Sequence, residues 1–121
     1  MINLKPQILS ALQADSQLIT MLGGQRIYQL VAPTATEFPR ITFYEYENIG
    51  AVYADDDEYA SEIFMQIDVW CQNASTSAIA QRVDVVMKSQ GFLRLEAQDL
   101  FEDDSDTRIF HKAMRYSVTT E

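Results

Sequence analysis

The sequence predicts an α+β fold: a single domain, residues 1–121, in which a mostly antiparallel β-sheet is packed on one face by two main helices. The first observation is the order of the patterns, since helical periodicity and strict alternation follow one another as α, β, β, β, α, β, β. The second is that adjacent strand segments are placed to make hairpins. The third is size, because 121 residues, 47% of them hydrophobic, suffice for one core.

The chain begins with a helix expected over residues 4–14, where apolar side chains recur at helical spacing: Leu4, Ile8, Ala11 and Leu12. Pro6 is compatible with this helix because it lies in the first turn. A short second helical piece follows in "DSQLITMLGG", with Asp15 or Ser16 as its N-cap and Gly23 as its end. "RIYQLV" then predicts a brief strand.

Four further segments have the alternation and the β-branched and aromatic content of strands: "RITFYEYEN", "IFMQIDVWCQN", "FLRLEAQDLF" and "TRIFHKAMRYSVTT". "APTATEFP", bounded by Pro33 and Pro39, is expected to be a loop. Residues 48–60, which contain Gly50 and an acidic run, are expected to form a long hairpin tip. "EDDSD", residues 102–106, is expected to be an acidic turn between the last two strands.

The clearest helix is expected within residues 73–91, "NASTSAIAQRVDVVMKSQG". Asn73 or Ser75 can cap its start, and Gly91 can end it. Its apolar stripe consists of Ile79, Val83, Val86 and Met87. We expect this stripe to cover one face of the strand in "IFMQIDVWCQN", with Ile67 and Val69 buried beneath it.

The strand in "IFMQIDVWCQN" has two very different faces. One is apolar and consists of Ile63, Met65, Ile67, Val69 and Cys71, and the other consists of Phe64, Gln66, Asp68 and Trp70. The predicted layout leaves Phe64 and Trp70 without a partner inside the domain. Because aromatic side chains are enriched in interface cores, we expect the second face to meet another chain, with Tyr44 and Tyr46 of the preceding strand as further anchors.

The charge balance excludes several classes of partner. Nine Lys and Arg stand against 18 Asp and Glu, a formal charge of -9, which argues against binding to nucleic acid phosphates and to anionic membranes. The sequence contains no apolar run long enough to span a bilayer and no signal-peptide pattern, so the protein is expected to stay in the cytoplasm in which it is made.

No residue pattern predicts catalysis, a metal site or a cofactor. His111 is the single histidine and has no triad or metal motif around it, so it is expected to be a half-exposed strand residue. Cys71 is expected to be a buried thiol. The acidic runs "DDDE" and "EDDSD" lack the register of a calcium loop and are expected to be solvated tips that repel one another or select a basic partner.

Three segments carry a resemblance to a known family: "QIDVW" at residues 66–70, "VMKSQGF" at residues 86–92 and "IFHKAMRYSV" at residues 109–118. In this order, with a polar-capped helix and an acidic turn between them, they resemble the small tail completion proteins of long-tailed bacteriophages. These are also called tail terminators or tail-to-head joining proteins. The resemblance extends from about Pro39 to the C-terminus.

The resemblance implies a structural virion protein without catalytic residues. Such a protein forms a ring, usually a hexamer, at the head-proximal end of the tail, where it caps the tail tube and joins it to the head connector or stopper protein. It is assembled in the cytoplasm of the bacterial host, and DNA passes through its lumen without specific binding. Six copies at -9 each would carry -54, which suits a passage that repels a phosphate backbone.

The expected subunit or tail interface combines the aromatic-polar strand face with the acidic hairpin tip, whose residues match no signature of the family. Its members are Tyr44, Tyr46, Tyr53, Asp55, Asp56, Asp57, Phe64, Gln66, Asp68 and Trp70. The main alternative is an acidic cytoplasmic adaptor or inhibitor that masks a basic partner protein, because the same charge and aromatics would suit that role. An enzyme is third.

Overall fold

The computed structural model describes residues 1–54, 57–104 and 107–120. Within these residues the elements are, in chain order, α1 (Lys5–Gln13), α2 (Ser16–Leu22), β1 (Ile27–Gln29), β2 (Arg40–Ala54), β3 (Asp57–Gln72), α3 (Ser77–Ser89), β4 (Leu93–Asp104) and β5 (Thr107–Thr120). The predicted order is confirmed, with α2 as the short second helical piece. None of these helices is long and apolar enough to cross a membrane.

The described strands form one sheet in the order β1-β2-β3-β5-β4. The pairs β2–β3, β3–β5 and β4–β5 are antiparallel, so the predicted α+β class with a mostly antiparallel sheet is confirmed. β1 is parallel to β2, which corrects the expectation that these two strands form a hairpin. The connection over residues 30–39 is long enough to return the chain to the same end of the sheet.

The two hairpins are longer than the sequence pattern predicts. The expected tip at residues 48–60 is mostly strand, because β2 and β3 remain paired until Ala54 lies opposite Asp57. The expected turn at residues 102–106 is also shortened, since β4 continues to Asp104 opposite Thr107. Gly50 and the acids look like loop signals in sequence, yet Gly50 is paired with Ser61 inside the β2–β3 ladder, and register shifts next to Gly50 absorb the irregularity.

The core lies between one face of the sheet and the three helices. The buried side chains of β3 are those that alternation predicts: Ile63, Met65, Ile67, Val69 and Cys71. They form one cluster with the stripe of α3 and with the inner faces of α1 and α2. Ile67 and Val69 are both 0% exposed, so the prediction that they are buried is confirmed.

Asp15 connects helix α2 to helix α3. Of the two predicted caps, Asp15 and Ser16, it is Asp15 that caps α2, by accepting a hydrogen bond from the Leu18 N–H at 3.0 Å. Gly23 ends α2, as predicted, in the left-handed conformation with φ 79°. The Nε–H of Arg82 on α3 donates a bifurcated hydrogen bond to both oxygens of the Asp15 carboxylate, at 3.0 and 2.8 Å. The Arg82 guanidinium holds the pKa of Asp15 below its ordinary value.

The start of α3 differs from the prediction, because its N-cap is Thr76 and not Asn73 or Ser75. Ser75 accepts a hydrogen bond from the Ser77 N–H at 3.2 Å, just before the helix. Asn73 has a different role, since its side chain accepts a hydrogen bond from the Arg108 N–H at 3.0 Å and so ties the end of β3 to β5.

Asp84 links α3 to the last two strands. The buried Tyr116 of β5 donates a hydrogen bond to Asp84 Oδ1 at 2.8 Å, while Oδ2 pairs with Lys88 at 2.9 Å and with Arg94 of β4 at 3.3 Å. Burial raises the pKa of Tyr116 far above its ordinary value. Burial also opposes ionisation of Asp84, but the hydrogen bonds from Lys88 and Tyr116 outweigh it and hold the pKa of Asp84 below its ordinary value.

Shortening a buried side chain of the central strand β3 should show how much the core contributes to the free energy of unfolding. Ile67→Ala removes three carbon atoms from a fully buried position, so we expect the free energy of unfolding to fall by about 2–4 kcal/mol in urea titrations. Gln98→Ala, on the exposed strand β4, is the control and should change it by less than about 0.5 kcal/mol. Equal midpoints for the two variants would contradict the burial of Ile67.

Acid should weaken the fold through Asp15 and Asp84. Both carboxyls have lowered pKa values in the folded chain, so their stabilisation is complete above the unfolded pKa of about 4 and is lost as the pH falls through the lower folded values. Asp15→Asn keeps a capping oxygen but loses the ion pair with Arg82. We expect this variant to be less stable at pH 7 and to lose less stability between pH 5 and pH 2 than the parent, as measured by urea unfolding; parallel pH profiles would contradict this.

Candidate functional site

The candidate site is the face of the sheet opposite the helices, which we call the open face. Strand register places its side chains side by side: Trp70 of β3 lies opposite Arg40 of β2 and His111 of β5. Two residues along, Asp68 lies opposite Thr42, and Gln66 after it lies opposite Arg115. The open face therefore joins the three central strands through cross-strand neighbours.

Trp70 is fixed by contacts on three sides. Its ring stacks on His111 with centroids 3.7 Å apart and planes 12° from parallel. Its Nε1–H donates a hydrogen bond to Oγ1 of Thr42 at 2.9 Å. The Arg40 guanidinium lies 5.4 Å from the Trp70 ring centroid and 4.4 Å from that of Phe38. These cation–π and stacking contacts hold Trp70 in one orientation while part of its surface remains accessible.

Asp68 is the polar centre of the open face. It is only 4% exposed, and its Oδ1 lies 2.7 Å from Nε2 of His111 and accepts a second hydrogen bond from Nε2 of Gln66 at 2.9 Å. Gln66 Oε1 in turn accepts a hydrogen bond from Nε of Arg115 at 3.1 Å. These hydrogen bonds are what allows a carboxylate to be buried on a sheet face.

An aromatic pair ends the row. The Arg115 guanidinium lies 4.8 Å from the Tyr46 ring centroid, and Tyr46 lies 5.7 Å from Phe64, centroid to centroid. Burial raises the pKa of Tyr46, although the Arg115 charge opposes that rise. Tyr44, on β2 opposite Gln66, is half-buried. A continuous row of rings, amides and charges thus runs along β3 on the open face, from Phe38 to Phe64.

The structure brings six of the predicted interface residues onto or beside this row: Tyr44, Tyr46, Phe64, Gln66, Asp68 and Trp70. The expectation that Phe64 and Trp70 have no partner inside the domain is wrong, because Tyr46 contacts Phe64 and His111 stacks on Trp70. The predicted hairpin residues Tyr53 and Asp57 lie on the distal parts of β2 and β3. Asp55 and Asp56 lie outside the described residues.

Sequence reasoning missed the partners that complete the row, namely Arg40, Thr42, His111 and Arg115. β5 reaches β3 only after the chain has passed through α3 and β4, so the pairing of Trp70 with His111 cannot be read from local spacing. The period-two pattern in "RIFHKAMRYSV" was the available signal, since it puts His111 and Arg115 on one face. His111 is a half-buried strand residue, as expected, but it also contacts two defined partners, Asp68 and Trp70.

The geometry of the open face suits binding. His111 and Asp68 form a pair, and no group of three or more His, Cys, Asp or Glu in the described residues is arranged to hold a metal ion. Cys71 lies on the opposite, buried face, where burial raises the pKa of its thiol. Arg40 is half-buried, burial lowers its pKa, and its Nε has no hydrogen-bond partner among the described residues. Rings that are already ordered in the free chain are a feature of a contact surface.

Comparison with known proteins gives the family. A model of the family "Tail completion protein gp17" matches residues 6–121. Among solved structures, a chain of the "Virion of native gene transfer agent (GTA) particle" superposes with a TM-score of 0.59 over 93% of this chain and 92% of that one. Their sequences are 17% identical, so this likeness concerns the fold. No curated protein matches the sequence. Because the family match spans almost the whole chain, this protein belongs to the tail completion protein gp17 family, structural proteins of the bacteriophage virion tail.

Proposed function

We propose that this protein forms a ring, a hexamer, that caps the finished tail tube and joins it to the connector or stopper protein of the head. The observation that carries the proposal is the family match over residues 6–121. The chain acts as a building block and not as an enzyme. The alternative function, an acidic adaptor, is compatible with the charge of -9, but that charge is equally compatible with the ring. The family match favours a role in the tail.

The open face is the surface proposed to meet the tail tube. Tyr44, Tyr46, Phe64 and Trp70 offer partly exposed aromatic area, which is the usual content of interface hot spots. Because Trp70 and Asp68 are already held by neighbours, binding orders few additional side chains and loses little entropy. The exposed Arg115 at the margin can pair with an acidic group on the tube.

The β2–β3 hairpin is proposed to complete the contact, with Tyr53, Asp55, Asp56 and Asp57 at its end. These acids repel their counterparts in other copies and so oppose ring closure before the tube provides complementary contacts. The charge of -54 for six copies also disfavours retention of DNA in the lumen, because a polyanion releases no counterions from DNA and gains no phosphate contacts.

The decisive test is complementation of a phage whose own gene for this protein is disrupted. We expect tails and heads to remain separate, or tails to have irregular ends, until the protein is supplied. Electron microscopy of particles and of purified protein mixed with tail tubes should then show a ring at the tube end. Normal tails joined to heads in the absence of the protein would refute the proposal.

Trp70 allows the open face to be tested directly, since it is the single tryptophan of the chain. If the open face meets the tube, the fluorescence emission of Trp70 should shift to shorter wavelength when tubes are added, because the ring surface that is still exposed loses its contact with water. Trp70→Ala should reduce the yield of joined particles at least about tenfold, as expected for the loss of a hot-spot residue worth about 1.4 kcal/mol or more.

Gln17→Ala, an exposed change on α2, is the matched control and should join heads to tails normally. Circular dichroism should show that both variants are folded. An unchanged emission spectrum on tube binding, together with full activity of Trp70→Ala, would remove the open face from the tube contact while leaving the ring itself possible.

The charge of the hairpin is tested by reversing it. Lysine at Asp55, Asp56 and Asp57 should leave thermal stability nearly unchanged and impair the joining of heads to tails, because repulsion between copies is removed and contacts with the partner are altered. The control places lysine at Ser10, Gln13 and Gln17, three exposed positions of the helical layer. Wild-type titres from the hairpin variant would contradict a role for these acids.

A further inference from the structure

An apolar turn with a strained backbone ends β1. Leu30 has φ 68°, and the Val31 N–H donates a hydrogen bond to the carbonyl of Gln29 at 2.9 Å across it, which defines a γ-turn with positive φ. The Leu30 N–H is also bonded to the carbonyl of Phe43 at 2.9 Å, so the turn is anchored to β2. Leu30 is 64% and Val31 77% exposed.

This combination of residue and conformation is unusual. Positive φ is uncommon for residues other than Gly, Asn and Asp, and a bulky aliphatic side chain there is strained. A turn needed only to connect β1 to the next loop would be satisfied by glycine, which adopts this φ without strain. Instead two aliphatic side chains are presented to solvent, which points to a contact made by those side chains.

A complementary groove lies at the other edge of the sheet. β4 extends beyond the helical layer, and its side chains from Leu93 to Asp103 are exposed. Between α3 and β4 a groove of about 760 Å³ is lined by Ala80, Asp84 and Val85 of α3 and by Arg94, Leu95 and Ala97 of β4. Val85 is 52% and Leu95 48% exposed. Its lining mixes these apolar side chains with polar ones, among them Gln81, Glu96 and Lys112. The groove is large enough to take two aliphatic side chains.

The two edges also differ in charge. Residues 24–36, which contain β1 and the Leu30–Val31 turn, carry a net charge of +1 from Arg26 and include no acid. β4 carries -4, from Arg94 against Glu96, Asp99, Glu102, Asp103 and Asp104. In a chain of -9 these edges are therefore electrostatically complementary to each other and would attract.

We propose, on the basis of the ring proposed above, that the Leu30–Val31 turn of one copy packs into the α3–β4 groove of the next copy. Because β1 and β4 are the opposite edges of the sheet, this contact is head-to-tail, the type of contact that generates a closed ring. It assigns the edges to contacts between subunits and leaves the open face available for the tail tube.

Disulfide crosslinking in assembled particles tests the contact. Val31→Cys and Leu95→Cys are introduced into the full chain, and Cys71, which is 3% exposed, stays in place. After mild oxidation of purified particles, we expect the double variant to run on a non-reducing gel as a ladder up to the full ring. A mixture of the two single variants should stop at dimers, because each pair of copies then offers one turn cysteine and one groove cysteine.

The matched control replaces the turn position by Met21→Cys, on α2 and 41% exposed, combined with Leu95→Cys. It should give monomers. Rings visible by electron microscopy in which the Val31→Cys, Leu95→Cys chains remain uncrosslinked would overturn the contact and leave the ring proposal intact. Loss of rings in a single variant that the Met21→Cys chain does not share would support it. Particles with no ring of this protein in the parent would refute the ring itself.

Discussion

The two-faced alternation of β3 is the constraint on which the rest of the structure depends. β3 is the middle strand of the sheet, so its two faces form the centres of both sheet faces. A shift by one residue would move Asp68 and Trp70 into the core and bring Ile67 and Val69 to the open face. Burial of five apolar side chains outweighs any single polar contact opposite them, so the core sets the register. The pairing of Trp70 with His111 follows from it.

The open face shows how a polar surface is made rigid. Asp68 is buried because His111 and Gln66 satisfy it, and Trp70 is held by a stack, a hydrogen bond and a cation. Each of these contacts is modest alone. Together they order the side chains before any partner binds, so binding would cost little additional side-chain entropy. This is the physical basis for proposing this face as a pre-organised contact surface.

The edge strand β4 combines acidic residues with exposed apolar side chains. A soluble chain normally protects its edge strands with charge, and β4 carries five acids together with a register shift between Arg94 and Glu96. Four large apolar side chains nevertheless remain exposed along the same strand: Leu93, Leu95, Leu100 and Phe101. Acids keep such an edge soluble and hinder adhesion between identical edges, while the apolar positions are available to a surface of the right shape and charge. A protein that assembles only at a tube end, as proposed for this chain, needs both properties.

The sequence by itself determined the class of fold, the order of the elements and the buried face of β3. It also narrowed the cap of α2 to Asp15 or Ser16 and placed six residues on the open face. These features depend on local periodicity, local capping chemistry and burial. The sequence also contained the segments whose resemblance to tail completion proteins the family match confirmed. Only the tertiary structure decided the parallel pairing of β1, the extension of both hairpins and the partners Arg40, Thr42, His111 and Arg115. Those features depend on which distant strands become neighbours, and that choice is made by packing the helices on the whole sheet, not by the spacing of residues within any one segment.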